Sequence, residues 1–110
     1  MIQDNREIAR QQVLRAAEAL LEGQQDVLRT AEAIARHAFD LDPQLRNSDV
    51  RTFVGIHSQC DHLLAIDSVR GWHPAVREER QAEYAEANEF FREQAISAAR
   101  SLLDRLSRPA

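Results

Sequence analysis

Lysine is missing from this chain of 110 residues, and all 14 basic residues are arginine. Arginine favours bidentate pairs with carboxylates and stacking on aromatic rings, so any ion pairs here take that form. Cysteine occurs once, at Cys60. No internal disulfide can form, and nothing points to an oxidising compartment. Aromatics are scarce, with one Trp, one Tyr and four Phe, so the core must be built mostly from Leu, Ile, Val and Ala. Positive charge is not in excess. The net charge of -4 argues against a nucleic-acid binder, which usually shows a basic face. No apolar run approaches the roughly 20 residues needed to span a bilayer. Met1 to Arg15 is charged every few residues and has no apolar stretch of the kind a secretory leader carries. A cytoplasmic protein without a membrane span is the expectation.

What is present is helical patterning in a chain of single-domain size, residues 1–110. A chain this long buries roughly 60–70% of its unfolded surface, enough for one core without staples. Residues 4–22 predict a first helix, since Ala9, Val13, Ala16, Ala17, Leu20 and Leu21 recur at three-to-four spacing. Gly23 follows as a stop. Residues 26–39 predict a second helix capped by Asp26, with the stripe Val27, Leu28, Ala31, Ile34, Ala35 and Ala38. Glu32 and Arg36 are ordered for an i,i+4 pair. The heptad register also survives across Gly23, as Leu14, Leu21, Leu28 and Ala35 show. One continuous rod kinked at Gly23 is therefore the alternative, because an interior Gly costs only ~1 kcal/mol.

Asp40-Leu41-Asp42-Pro43 predicts a turn. Ser48 is a plausible cap for a short helix using Val50, Phe53 and Val54, interrupted at Gly55, although Thr52 to Ile56 is β-branched enough for an extended segment. Residues 57–74 show no sustained period, and Gly71 and Pro74 close that insert. Residues 75–106 contain neither Gly nor Pro and predict one long helix. Its expected core face is Tyr84, Ala87, Phe91, Ala95, Ala98, Leu102 and Leu106, widened by Phe90, Ala99 and Leu103. Acids lead this helix and arginines close it, which suits the helix dipole.

The insert concentrates the chemistry: His57, Ser58, Cys60, Asp61, His62, Arg70, Trp72 and His73. Imidazole, thiolate and carboxylate are sound metal ligands, but no paired CxxC and no HExxH is present. A nucleophile reading would use Ser58 or Cys60 with His57 or His62 and an acid such as Asp61 or Asp67. Sequence neighbours rarely reach a catalytic geometry, and there is no G-x-S-x-G elbow. The structural reading explains the same residues. Ser58-x-x-Asp61 has the spacing of a cap, Asp61 and Asp67 suit pairs with Arg70 or Arg77, Trp72 suits a lid on the core, and Cys60 suits a small buried apolar residue. His37 and the Glu79, Glu83, Glu86 series fit a helix end and a solvated face.

The stretch Phe53-Val54-Gly55-Ile56-His57-Ser58-Gln59-Cys60-Asp61-His62-Leu63, followed by Val69-Arg70-Gly71-Trp72, resembles a family of short uncharacterised bacterial proteins. The shared pattern is an apolar run, Ile, Ser, Asp-His-Leu, then Arg and Trp, with a Leu-x-Gly such as Leu21-Glu22-Gly23 between the first two helices. His57 and Leu64 depart from it, standing where the family has an acid and a proline. The resemblance implies a bacterial origin and a shared fold. It implies no activity.

The expected architecture is an all-α bundle of three to four helices with an irregular central segment and a long C-terminal helix. The expected function is a non-enzymatic protein-interaction or regulatory module, in one form a small acidic inhibitor or immunity-type protein. A metal-dependent or hydrolytic enzyme built on His57 to His73 is the rival class, and a structural helical oligomer the third. No catalytic residue, metal ligand or cofactor is assigned. An unidentified protein partner and a homodimer through the C-terminal helix are expected.

Overall fold

A computed structural model describes residues 4–68 and 73–107, without the side chains of 65–68. Helix α1 spans Asn5–Leu21, α2 Val27–Leu41, α3 Ser48–Cys60 and α4 Pro74–Leu106, with a 3-10 helix over Asp61–Ser68. No strand occurs among the described residues, and no helix among them is long and apolar enough to cross a membrane.

Gly23 ends α1 and rules out the rod. Its φ of 75° lies in the left-handed region that a Cβ disfavours. Gln24 N donates to Ala19 O at 2.8 Å and Gly23 N to Leu20 O at 3.1 Å, the paired bonds of a Schellman stop. Asp26 then starts α2 by accepting from Arg29 N at 2.8 Å. Helix α2 folds back along α1, so Arg6 near the start of α1 reaches Leu41 O at the end of α2. Arg10 reaches Leu106 O at 3.0 Å. Helix α4 therefore also runs antiparallel to α1.

Helix α2 runs two residues past its predicted end, to Leu41, and the turn shifts to residues 42–47. Asp42 accepts from Arg46 N and Asn47 N at 3.0 and 2.8 Å, and Leu45 takes a positive φ of 49°. Asn47, not Ser48, caps α3, accepting from Asp49 N and Val50 N. Helix α3 passes straight through Gly55 and is not extended at 52–56. Val50, Phe53, Ile56 and Cys60 are buried along one face, and that burial outweighs the propensity cost of one Gly. The chain remains helical to Ser68, where the sequence suggested irregular structure from 57 onward.

The core is contributed by all four α-helices. Ala9, Val13, Ala17, Leu28, Ile34, Phe53, Ala95, Ala99 and Leu102 are fully or almost fully buried. Small residues on α4 at 95, 98 and 99 let it settle closely on the bundle. The predicted α4 face holds with one exception. Tyr84, Ala87, Phe91, Leu103 and Leu106 pack on the core, whereas Phe90 is 79% exposed. Phe90 is turned about 100° around the helix from Phe91, away from the side on which Ala87, Phe91 and Ala95 pack. Glu32 pairs with Arg29 at 3.6 Å rather than with Arg36. At 33 residues, α4 is about 50 Å long, and the residues of its start, from Pro74 to Glu79, are exposed.

Candidate functional site

The described part of the 57–73 cluster is spread around a helix, not gathered into a site. Ser58, Asp61 and His62 are exposed, while Cys60 is buried and faces the core. Ser58 and Asp61 lie within continuous helix, so they do not form a cap. Burial first, and then the neighbouring Asp61 carboxylate, pushes the Cys60 thiol above its ordinary value. That is the opposite of an activated thiolate, which sits in a partly exposed electropositive setting. Asp61 makes no ion pair among the described residues. His57 is half-buried beside Glu32, Ala35 and Arg36 of α2, around a concavity of about 300 Å³. Its Nδ1 is buried without a hydrogen-bond partner among the described residues. His73 is the cap of α4, its Nδ1 accepting from Ala75 N at 3.1 Å. No group of three or more metal-ligating side chains gathers among the described residues. Arg70 and Trp72, with the expected Asp61–Arg70 pair and the burial of Trp72, lie outside those residues.

A second region carries more built geometry. Where α4 meets the α1–α2 turn, a groove of about 510 Å³ opens. Leu20, Leu21, Val27 and Ile96 give it apolar walls, and Tyr84, Asn88, Glu89 and Arg92 line its α4 side. The joint above it is tightly tied. Tyr84 donates its hydroxyl to Asp26 Oδ2 at 2.7 Å, while Asp26 Oδ1 holds Arg29 N. Asn88 Oδ1 accepts from Leu28 N at 3.2 Å, and its Nδ2 donates to Tyr84 O at 3.1 Å. The start of α2 is thus capped twice, once locally and once from α4, and offers no open anion site. The Tyr84 hydroxyl is pushed up from its ordinary value of 10 to about 12 by burial, then by the hydrogen bond to Asp26 and by that carboxylate's charge, with Arg29 pulling the other way.

On the outward side of α4, Phe90 stands edge-on to Phe91, with ring centroids 4.8 Å apart at 87°. Since Phe91 packs on the core, the exposed ring rests on a fixed base. A second concavity beside it is lined by Glu89, Phe90, Arg92, Glu93, Ile96, Ser97 and Arg100. It shares Glu89, Arg92 and Ile96 with the groove, so the two form one continuous relief along α4. Sequence reasoning missed this surface. Asp26 and Tyr84 were each legible as a cap and a core residue, but their meeting across 58 positions was not.

Comparison of the chain with protein-family models, with curated proteins and with solved structures finds no match. The resemblance to short bacterial proteins therefore rests only on the residues quoted for it, Leu21-Glu22-Gly23 and the stretches Phe53–Leu63 and Val69–Trp72.

Proposed function

We propose that the chain is a non-enzymatic protein-interaction module, in a bacterial cytoplasm, whose docking element is the outward face of α4. The observation that carries this reading is Phe90, 79% exposed yet held against Phe91 and set beside a groove with apolar walls. A large rigid aromatic ring in water beside a concavity is the composition of an interface anchor. Exposed carboxylates at Glu86, Glu89 and Glu93 lie within about one turn of that anchor. They favour the form in which the module covers a basic partner surface, as a small acidic inhibitor would. The rival enzyme loses its best nucleophile, since Cys60 is buried and its thiol is held protonated.

Site-directed photo-crosslinking in cells tests the reading. A photoreactive phenylalanine analogue is placed at Phe90 and, as control, at Phe39, which is 65% exposed on α2. Protein adducts are expected from position 90 well above those from position 39. Adducts from neither, or equal adducts from both, would overturn it.

A further inference from the structure

Building on that reading of α4, we infer that the groove beneath Tyr84 seats an amphipathic helix of the basic partner, with large apolar side chains pointing inward and arginine or lysine on its flanks. Shape sets the first requirement. The lining on α4 runs from Tyr84 to Ile96, about 18 Å along the helix. The opposite wall is the end of α1 and the start of α2, through Leu20, Leu21 and Val27. A trough of that length between helices matches the ridge of another helix better than a single side chain. The floor sets the second. An extended peptide docks by pairing its backbone with free donors and acceptors. Here those groups are already engaged: Leu28 N donates to Asn88 Oδ1, and Tyr84 O accepts from Asn88 Nδ2. A helix satisfies its own backbone and needs only apolar surface, which Leu20, Leu21, Val27 and Ile96 supply.

Charge sets the third requirement and names the partner's chemistry. Asp26 and Glu89 line the groove against one cation, Arg92. Glu22, between the lining residues Leu21 and Gly23, is exposed, as are Glu86 and Glu93 on α4. Glu22, Glu86, Glu89 and Glu93 make no ion pair among the described residues. Arginine or lysine along the flanks of an entering helix neutralises these carboxylates, whereas an acidic helix is repelled. Glu89 and Glu93 also form the ridge between the groove and Phe90, at helical spacing. A partner that fills the groove and covers the exposed ring therefore passes over both.

Peptide selection against the full chain tests this. Random displayed peptides of about the groove's length are selected for binding to the wild type and sorted by loss of binding to Ala85→Trp. Ala85 lines the groove and is exposed, so the indole fills the groove while the melting curve is expected to stay unchanged. Groove-dependent binders should carry large apolar residues three or four positions apart and a net positive charge, and should bind more weakly as salt rises. Glu89→Arg should weaken them by about tenfold, and the same peptides with lysine or arginine replaced by glutamate should bind that variant better than the wild type. A neutral or acidic consensus, a selection that yields no groove-dependent binder, or affinities unchanged by Glu89→Arg would overturn the inference. So would a wild-type dimer in sedimentation that Ala85→Trp abolishes, since a second copy would then fill the groove. The photoreactive analogue placed at Ala85 separates this inference from the reading beneath it. Adducts from position 90 with none from position 85 would reject the helix in the groove and leave the interaction module standing. Adducts from neither position would reject both.

Discussion

The two ends of α4 are made of similar residues and behave differently. Both are helical without a glycine, and both carry Ala, Arg and an aliphatic side chain. From Ala95 to Leu102 the helix buries Ala95, Ala98, Ala99 and Leu102 against the bundle. From Pro74 to Glu79 every side chain is exposed. The first stretch rests on local terms: Pro74 at the first helical position, the His73 cap and the Arg80–Glu83 pair at 3.1 Å. Such terms contribute a few tenths of a kcal/mol each. Helices held by propensity alone are marginal below about 12–15 residues, so the exposed turns persist as an extension of the packed ones. Helical state and structural weight are separate properties of one element.

The sharpest test of that contrast is a pair of truncations. Leu102→Ala, at a fully buried site, should cost about 2–5 kcal/mol of stability in chemical denaturation. Val76→Ala, on the exposed end, should cost less than about 0.5 kcal/mol. Comparable losses would erase the distinction. Between the two ends lies a seam formed by Tyr84 and Asn88. Asn88→Ala should cost about 1–2 kcal/mol by leaving the part-buried Leu28 N–H without its acceptor. Hydrogen exchange should then quicken at the start of α2, and a change confined to α4 would contradict the double cap.

Tyr84 gives the smallest effect, visible only in alkali. Its folded-state pKa stands above the unfolded one, so the folded chain holds the phenolic proton more tightly. That contribution is complete below pH 10 and is lost as pH rises through about 12. The melting temperature of the wild type should fall more steeply across that window than that of Tyr84→Phe. Parallel slopes would show that the Tyr84–Asp26 bond adds no pH-linked stability.

The all-α architecture, the stop at Gly23, the cap at Asp26 and the long last helix were legible because each is written locally, in periodicity or in one residue's backbone preference. The run from His57 to Ser68 was not. Its apolar residues Cys60 and Leu63 follow Phe53 and Ile56 at helical spacing, but Gly55, His57, Ser58 and Asp61 dilute the pattern, and burial against the other helices decided the outcome. Chemical density also proved a poor guide to proximity. Adjacent residues on a helix diverge in direction, so Cys60 is buried while Asp61 beside it faces water, and Ser58 is exposed while His57 beside it is half-buried, whereas Asp26, Tyr84 and Asn88 converge from distant parts of the chain. The orientation of Phe90 was within reach, since it lies about 100° or more around the helix from Tyr84, Phe91, Ala95 and Leu102.

Asp26 divides its two oxygens between its own helix and a tyrosine 58 positions away. Closing a loop of that size costs roughly 3–4 kcal/mol in chain entropy by the logarithmic rule. The two polar contacts that span it, Tyr84 to Asp26 and Asn88 to Leu28, return about 1–3 kcal/mol each at best. They therefore roughly balance the closure and leave little surplus. The burial of Ala95, Ala98, Ala99 and Leu102 therefore holds α4 on the bundle, and the contact at Asp26 sets where along the α1–α2 hairpin the helix sits.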